Sequence, residues 1–399
     1  MADNIDVDKA IEEAEKLVAS LKSFKESGDT AQHLAILSQS DKVRKVLESP
    51  YDTCTRLFEH LTVSGALYVL IMTGALQKLP VGTGISAADL AAQVNVDESI
   101  ITRAMRCIIW AGIAAETEES DVYTHNSLSQ AFLPPNIGSF FMVCMDFIRT
   151  WAKLPEYVKA HEIGELYDQK KSPFAFMQGK EGLTYYEVLA LNPEERHFWN
   201  VAMVQIEKSM PILGMFPFDS LKEQVAKEPD RPFIVDVAGG RGQDLLAIQK
   251  EFGPIGKLIL QDLPIVINSL KPEDIPGIEG MEYDFYTPQP IKNAHVYLMR
   301  RVMHDYYTPV CIKILKSVVP AMGPDSRLII CDMLLPDRVE VGGPMEPYWL
   351  DFSLLCISGI EKTLKEFNEI FDAVGLELVK VWPSKINRVA MLETRRKMT

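Results

Sequence analysis

FIVDVAGGRGQDLL, residues 233–246, carries an apolar run through Asp236 into glycines at 239, 240 and 242. A short apolar run broken by glycine predicts a strand feeding a helix, because glycine lets the backbone turn left-handed and approach a ligand closely. The amides that open such a helix attract negative charge. Gly240 and Gly242 make a GxG pair, but the third glycine of the dinucleotide fingerprint would fall on Leu245. No lysine followed by Ser or Thr completes a phosphate loop there. Diphosphate binding is disfavoured, and a ligand carrying ribose without a phosphate chain remains.

The strands that follow supply acids. The segment LILQDLP ends in Asp262, about 20 residues after the loop, where a carboxylate accepts both ribose hydroxyls. In MEYDFYTPQP, Asp284 and Phe285 stand at an expected strand end, an acid and an aromatic suited to the amino group and face of an adenine. Asp236, Asp262 and Asp284 thus place three acids around one site, which suits a cationic nucleoside such as S-adenosylmethionine. Ligands of open α/β sheets bind at the carboxyl ends of the strands.

The next unit, HVYLMRRVMHDYYTPVCIKILKSVVPAM, reads as a buried strand leading to His304 and then a helix. His304 therefore shares the rim with the acids. Methyl transfer to a hydroxyl needs a base for its proton, and neutral imidazole serves near pH 7. The second ring nitrogen needs an acceptor to fix the tautomer. Asp332, at the end of LIICDML, and Glu361, in GIEKTLKEF, are the candidates.

The alternation of strands FIVDVA, KLILQDL, HVYLMRRV, SRLIICDML, LELVKVW and VAMLET with helices predicts an α/β fold with a mostly parallel sheet covered on both faces. A chain of 399 residues exceeds a single core, so further domains are expected before it. Residues 1–50 read as an amphipathic helical extension, with Ile11, Ala14, Leu17, Val18 and Leu21 on one face. Residues 51–135 read as a mainly helical winged-helix unit, with Ser86 and Asp97 as helix caps and a short wing around Val122 and Tyr123. Its second helix offers only Arg103 and Arg106 as cations, too few for phosphate contact. Residues 136–230 form a helical linker with pocket residues, and 231–399 the sheet domain. The broad apolar surface before Leu79 faces a partner, which predicts a dimer.

The 55 acids against 41 bases give a formal charge of -14, the wrong sign for nucleic acid or an anionic membrane. Six scattered cysteines without a CxxC pair predict reduced thiols in a cytoplasmic protein. The acidic, amphipathic beginning of the chain does not read as a signal peptide, and the apolar stretch at 64–76 is too short to span a bilayer. No metal site is expected.

With VDVAGGRG, LQDLP, YDFY, RRVMHDY and SGIEKTLKEF in order, the chain resembles the plant and fungal small-molecule O-methyltransferases that use S-adenosylmethionine. The resemblance implies a Rossmann-like methyltransferase domain behind a winged-helix domain that forms a homodimer, and S-adenosylhomocysteine as product. It implies that Gly239 and Gly240, with Asp236, Gly242 and Leu263, contact the cofactor; Asp262 its ribose; Asp284 and Phe285 its adenine end. Arg300 falls at a basic cofactor-side position. His304 matches the general base, flanked by Asp332 and Glu361, and Met203 falls where a family methionine packs on the acceptor. Phe176, Trp199 and Leu354 join it as candidate pocket residues. Three departures stand out: Ala238 replaces a usual glycine, Asp332 is shorter than the common glutamate, and Lys362 stands where arginine is frequent.

The expected function is methylation of a hydroxyl on an aromatic or polyketide-like secondary metabolite. Three other readings are N-methylation, a pericyclic or dehydrating step using the sulfonium as a fixed charge, and a winged-helix DNA-binding regulator.

Overall fold

The computed structural model describes residues 5–28, 30–210, 212–339 and 341–397. The chain forms two compact units, Met1–Lys153 with Tyr186–Ser209, and Leu154–Tyr185 with Met210–Thr399. The units do not follow chain order. The stretch expected as a linker, 136–230, is divided between them.

The first unit begins with helices Val7–Ser27 and Thr30–Leu47, which pack against each other. Asp6 caps the first by accepting from the Lys9 amide, and Gly28 ends it at φ 63°. Helix Pro50–Met72 opens with a reciprocal Ser49–Asp52 capping box and a proline in its first turn. Its C-terminal half buries Leu67, Leu70 and Ile71, whereas Tyr51, Leu57, Phe58 and Leu61 on its N-terminal half are exposed. Helices Ala87–Val94 and Glu98–Trp110 start at Ser86 and Asp97, which cap them as expected. Three short antiparallel strands, β1 (Ile85–Ser86), β2 (Ala115–Glu116) and β3 (Val122–Thr124), lie in the order β1-β3-β2. Leu70, Leu76, Leu90, Ile101, Met105, Ile108 and Tyr123 form this unit's core. The apolar period of the helices is spent on that core, and Arg106 meets Asp121 at the surface, 3.5 Å away.

The second unit is built on β4 (Ile234–Val237), β5 (Leu258–Asp262), β6 (Ile278–Glu282), β7 (Val296–Arg300), β8 (Arg327–Leu335), β9 (Lys362–Thr363), β10 (Leu376–Pro383) and β11 (Val389–Arg396). The sheet order is β10-β11-β8-β7-β4-β5-β6, with β9 pairing the end of β8. Strands β4 to β8 are parallel, while β11 runs antiparallel to β8 and β10. The central strands are buried on both faces, which is why they read as unbroken apolar runs. Val235, Ile259, Tyr297, Met299, Leu328 and Ile330 pack with Ile314, Leu315, Phe367 and Phe371 from the covering helices. The chain goes from β4 outward through β5 and β6, then returns to the other side of β4 with β7. That reversal opens a crevice at the carboxyl ends of β4 and β7.

Candidate active site

The glycine loop sits on that crevice. Gly239 must be bare, because a Cβ there would fall 2.3 Å from Asp236 Oδ2 and 2.6 Å from Leu260 Cδ1. Gly240 and Gly242 have φ 60° and 79°, a region that side chains rarely enter, and helix Gln243–Phe252 follows. Ala238 adopts φ 60° without a glycine's freedom, a local strain of about 1 kcal/mol. The Gly240 amide donates to Asp262 Oδ2 at 2.8 Å, and the Leu263 amide donates to Oδ1 at 2.7 Å. Burial pushes the Asp262 carboxyl above its usual range, and the two amides oppose that rise. Asp236 is buried beneath the loop, against Gly239.

Asp284 is exposed, and its Oδ1 accepts from the Tyr286 amide at 2.9 Å, a local turn. Phe285 is half-buried, with its ring centroid 5.0 Å from Tyr286 and 5.9 Å from Tyr306. Leu263 is exposed. Arg300, at the end of β7, pairs with Asp244 in the first turn of the loop's helix and donates to the Met210 carbonyl. This buried ion pair ties the glycine loop to β7.

Four residues past Arg300, a 3₁₀ turn over Met303–Asp305 carries His304 inward, 6% exposed. Its Nδ1 lies 2.9 Å from Glu361 Oε1. A carboxylate at that nitrogen fixes the proton on Nδ1 and leaves Nε2 to act. Asp305 Oδ1 is 3.6 Å from Nε2. Burial disfavours the charged ring, but Glu361, through its charge and its hydrogen bond, together with Asp305 and Asp332, outweighs it and pushes His304 up to about 9. Asp332, from β8, is buried, and neither carboxylate oxygen has a hydrogen-bond partner among the described residues. Burial pushes its carboxyl up to about 7, with the positive charge of His304 opposing. His304, Asp332 and Glu361 line one small cavity with Arg301 and Leu350.

The three candidate catalytic residues are therefore brought together. Of the candidate pocket residues, Leu354 lies beside them: Gly359, whose Cβ would meet the His304 carbonyl at 2.7 Å, is 3.2 Å from Leu354 Cβ by the same measure. Phe176 packs with Tyr157 and His161, at 5.7 and 5.3 Å between ring centroids. Trp199 and Met203 lie on helix Pro193–Ser209 of the first unit, Trp199 with its ring 6.1 Å from Tyr186.

Sequence reasoning missed Leu350, Asp351 and the partner of Arg300. Leu350 was within reach, since it stands four residues before Leu354 on one helical face. Asp351, which accepts from the Glu361 amide at 2.9 Å, gave no local signal. Left-handed backbone at Arg301, just before the His304 turn, and at Ser358, with φ 55° and 64°, is equally invisible in the sequence. Away from this rim, Glu228, His295 and Asp325 come within ligating distance of one another. Arg231 already bridges the two carboxylates, at 2.8 and 2.7 Å, and offsets one of their two negative charges.

An O-methyltransferase domain model matches residues 169–377. The O-methyltransferase hmp5 of Hypomyces subiculosus is 39% identical over 97% of this chain and 98% of its own. The chain belongs to the O-methyltransferase family. The crystal structure of OxaC in complex with SAH and oxaline superposes on it with a TM-score of 0.83 and 26% identity, over 98% of this chain and 99% of that one. A pericyclic reaction enzyme shares the fold, with a TM-score of 0.82 and 21% identity over 97% of this O-methyltransferase and 100% of its own chain. Among the described residues, no helix of this O-methyltransferase is long and apolar enough to cross a membrane.

Proposed function

We propose that this O-methyltransferase moves a methyl group from S-adenosylmethionine to a hydroxyl of an aromatic or polyketide-like metabolite, with His304 as general base. The observation that carries the reading is the buried His304–Glu361 contact of 2.9 Å, opening on a cavity that Asp332 shares. The cofactor fits the residues present. Gly239 leaves backbone bare where a side chain would collide, and Asp262 is already oriented by two amides for ribose hydroxyls. Leu263 and Phe285 offer apolar surface to the adenine, and Asp284 an acceptor for its amino group. Asp236 and Gly242 shape the loop, while Arg300, paired with Asp244, holds it in place. The SAH complex of OxaC supports the same cofactor class.

When bound, S-adenosylmethionine supplies an electrophilic methyl group on a cationic sulfur. His304 Nε2 would take the proton of an acceptor hydroxyl placed at that methyl group. Glu361 keeps Nδ1 protonated and stabilises the imidazolium that results. Asp332 adds negative potential at the same ring. Phe176 and Leu354, both of the second unit, are assigned to the acceptor pocket, in keeping with the apolar acceptor class.

Two coarser features complete the reading. The first unit, with its capped helix pair and small antiparallel sheet, is assigned as a winged-helix domain that dimerises through the exposed Tyr51, Leu57, Phe58 and Leu61. All six cysteines are free thiols, in keeping with a reducing cytoplasm.

Incubation with S-adenosylmethionine and a panel of phenolic metabolites tests the proposal by mass spectrometry. The expected result is one S-adenosylhomocysteine per methylated product, with His304→Gln slower by about 10²–10⁴-fold. Full activity in His304→Gln would remove the general base. A transformed acceptor without S-adenosylhomocysteine would indicate a pericyclic reaction instead.

A further inference from the structure

Lys362 is one of the few charged residues buried to 1% exposure, and its surroundings are specific. Its Nζ donates to the carbonyls of Met303 and Tyr306, each at 2.8 Å, and of Ile360 at 3.0 Å. An ammonium has three donors, so all are satisfied. Two of those carbonyls flank His304. The carbonyl of His304 itself accepts from the Ile360 amide at 2.8 Å. Three carbonyls of the His304 turn are therefore taken by the segment 360–362, and Glu361 stands in the middle of it.

The other end of this fastening is rigid. Lys362 pairs with Leu334 of β8, two residues beyond Asp332. The lysine thus reaches from the β8–β9 pair to the turn after β7. A neutral donor would fasten the turn with a smaller desolvation cost than a buried ammonium carries. The charge has a second effect, since Lys362 favours the ionised form of Asp332 against its burial.

We infer that Lys362 is a positioning residue for His304, its ammonium pinning the turn that carries the imidazole to the segment that carries Glu361 and so setting their contact. The inference rests on the reading of His304 as the base, but it concerns the geometry of the free enzyme. Its test needs neither methyl donor nor acceptor.

Labelling the histidines of the full chain with carbon-13 at Cε1 gives seven ring signals, and the one lost in His304→Asn is that of His304. Its titration midpoint is then read in wild type and in Lys362→Met, with Lys362→Gln used where Lys362→Met does not fold. The wild-type midpoint is expected well above the ordinary imidazole value. In the uncharged variants it falls by about one unit or more, as the Glu361 contact loosens, whereas Lys362→Arg keeps it within about half a unit. A merely structural lysine would lower thermal stability and leave the midpoint where it was, which overturns the inference. An ordinary midpoint in wild type overturns it as well. Failure of the general-base reading would appear separately, as undiminished methyl transfer by His304→Gln.

Discussion

Glu361 presents one oxygen to His304 Nδ1 at 2.9 Å, while its other oxygen is buried with no hydrogen-bond partner among the described residues. The imidazole therefore holds the carboxylate as much as the carboxylate holds the imidazole. A base set up this way is strong and, near neutral pH, mostly protonated.

That sets the pH dependence. His304 must lose its proton before it takes one from the acceptor, and Glu361 pushes it up to about 9. With the methyl donor bound, whose cationic sulfur opposes protonation of the ring, kcat/KM for the acceptor is expected to rise with pH and level off at or below about 9. In Glu361→Gln the rise shifts to lower pH and the plateau falls by about 10-fold or more. The pH–rate profile checks both. The stability sign follows from the same pair. A raised histidine value adds stability that is complete below pH 6.5 and lost as pH rises through about 9, so thermal unfolding temperature should decline across that window in wild type and less in Glu361→Gln.

Asp332 moves stability in the same direction, at lower pH. Its carboxyl is pushed up to about 7 by burial, so the folded protein holds that proton more tightly than the unfolded chain does. The stability it contributes is present at acidic pH and lost as pH rises through about 7. Asp332→Asn should therefore stabilise the protein by about 1–2 kcal/mol at pH 8 and change little at pH 4, while slowing methyl transfer. Paired unfolding curves at the two pH values decide it.

The glycine loop offers a contrast between neighbours. Ala238→Gly relieves the left-handed strain at φ 60° and should stabilise by about 0.5–1 kcal/mol. Gly239→Ala drives a methyl into Asp236 and Leu260, so binding of S-adenosylmethionine should weaken by about 10-fold or more, read by calorimetry.

Phe58 is 71% exposed and Tyr51 75%, on the same helix as the exposed Leu57 and Leu61. Against a second copy, such residues account for most of an interface's apolar contact. Phe58→Glu with Leu61→Glu should raise the dimer dissociation constant by about 100-fold, measured by sedimentation. A wild type that sediments as a monomer would end the dimer assignment.

By itself the sequence determined the local grammar. Apolar runs of four to nine residues fixed the sheet strands β4, β5, β7, β8 and β11, Ser86 and Asp97 announced their helices, and three glycines marked the loop. His304 was legible because it stands just past the end of β7, whereas Asp332 lies inside β8 and Glu361 just before β9, so the resemblance marked those two more than the strand pattern did. What only the tertiary structure decided is which groups touch. Glu361 meets His304 across 57 positions of chain, Arg300 finds Asp244 across 56, and Lys362 reaches Met303 across 59. Asp284, which the chain spacing puts beside its sister acids, is exposed and accepts from the Tyr286 amide two residues on, a contact that spacing alone does not give. The physical reason is that propensity and spacing act over a few residues. Contacts at the rim follow from the order in which strands enter the sheet and from how far each group is removed from water.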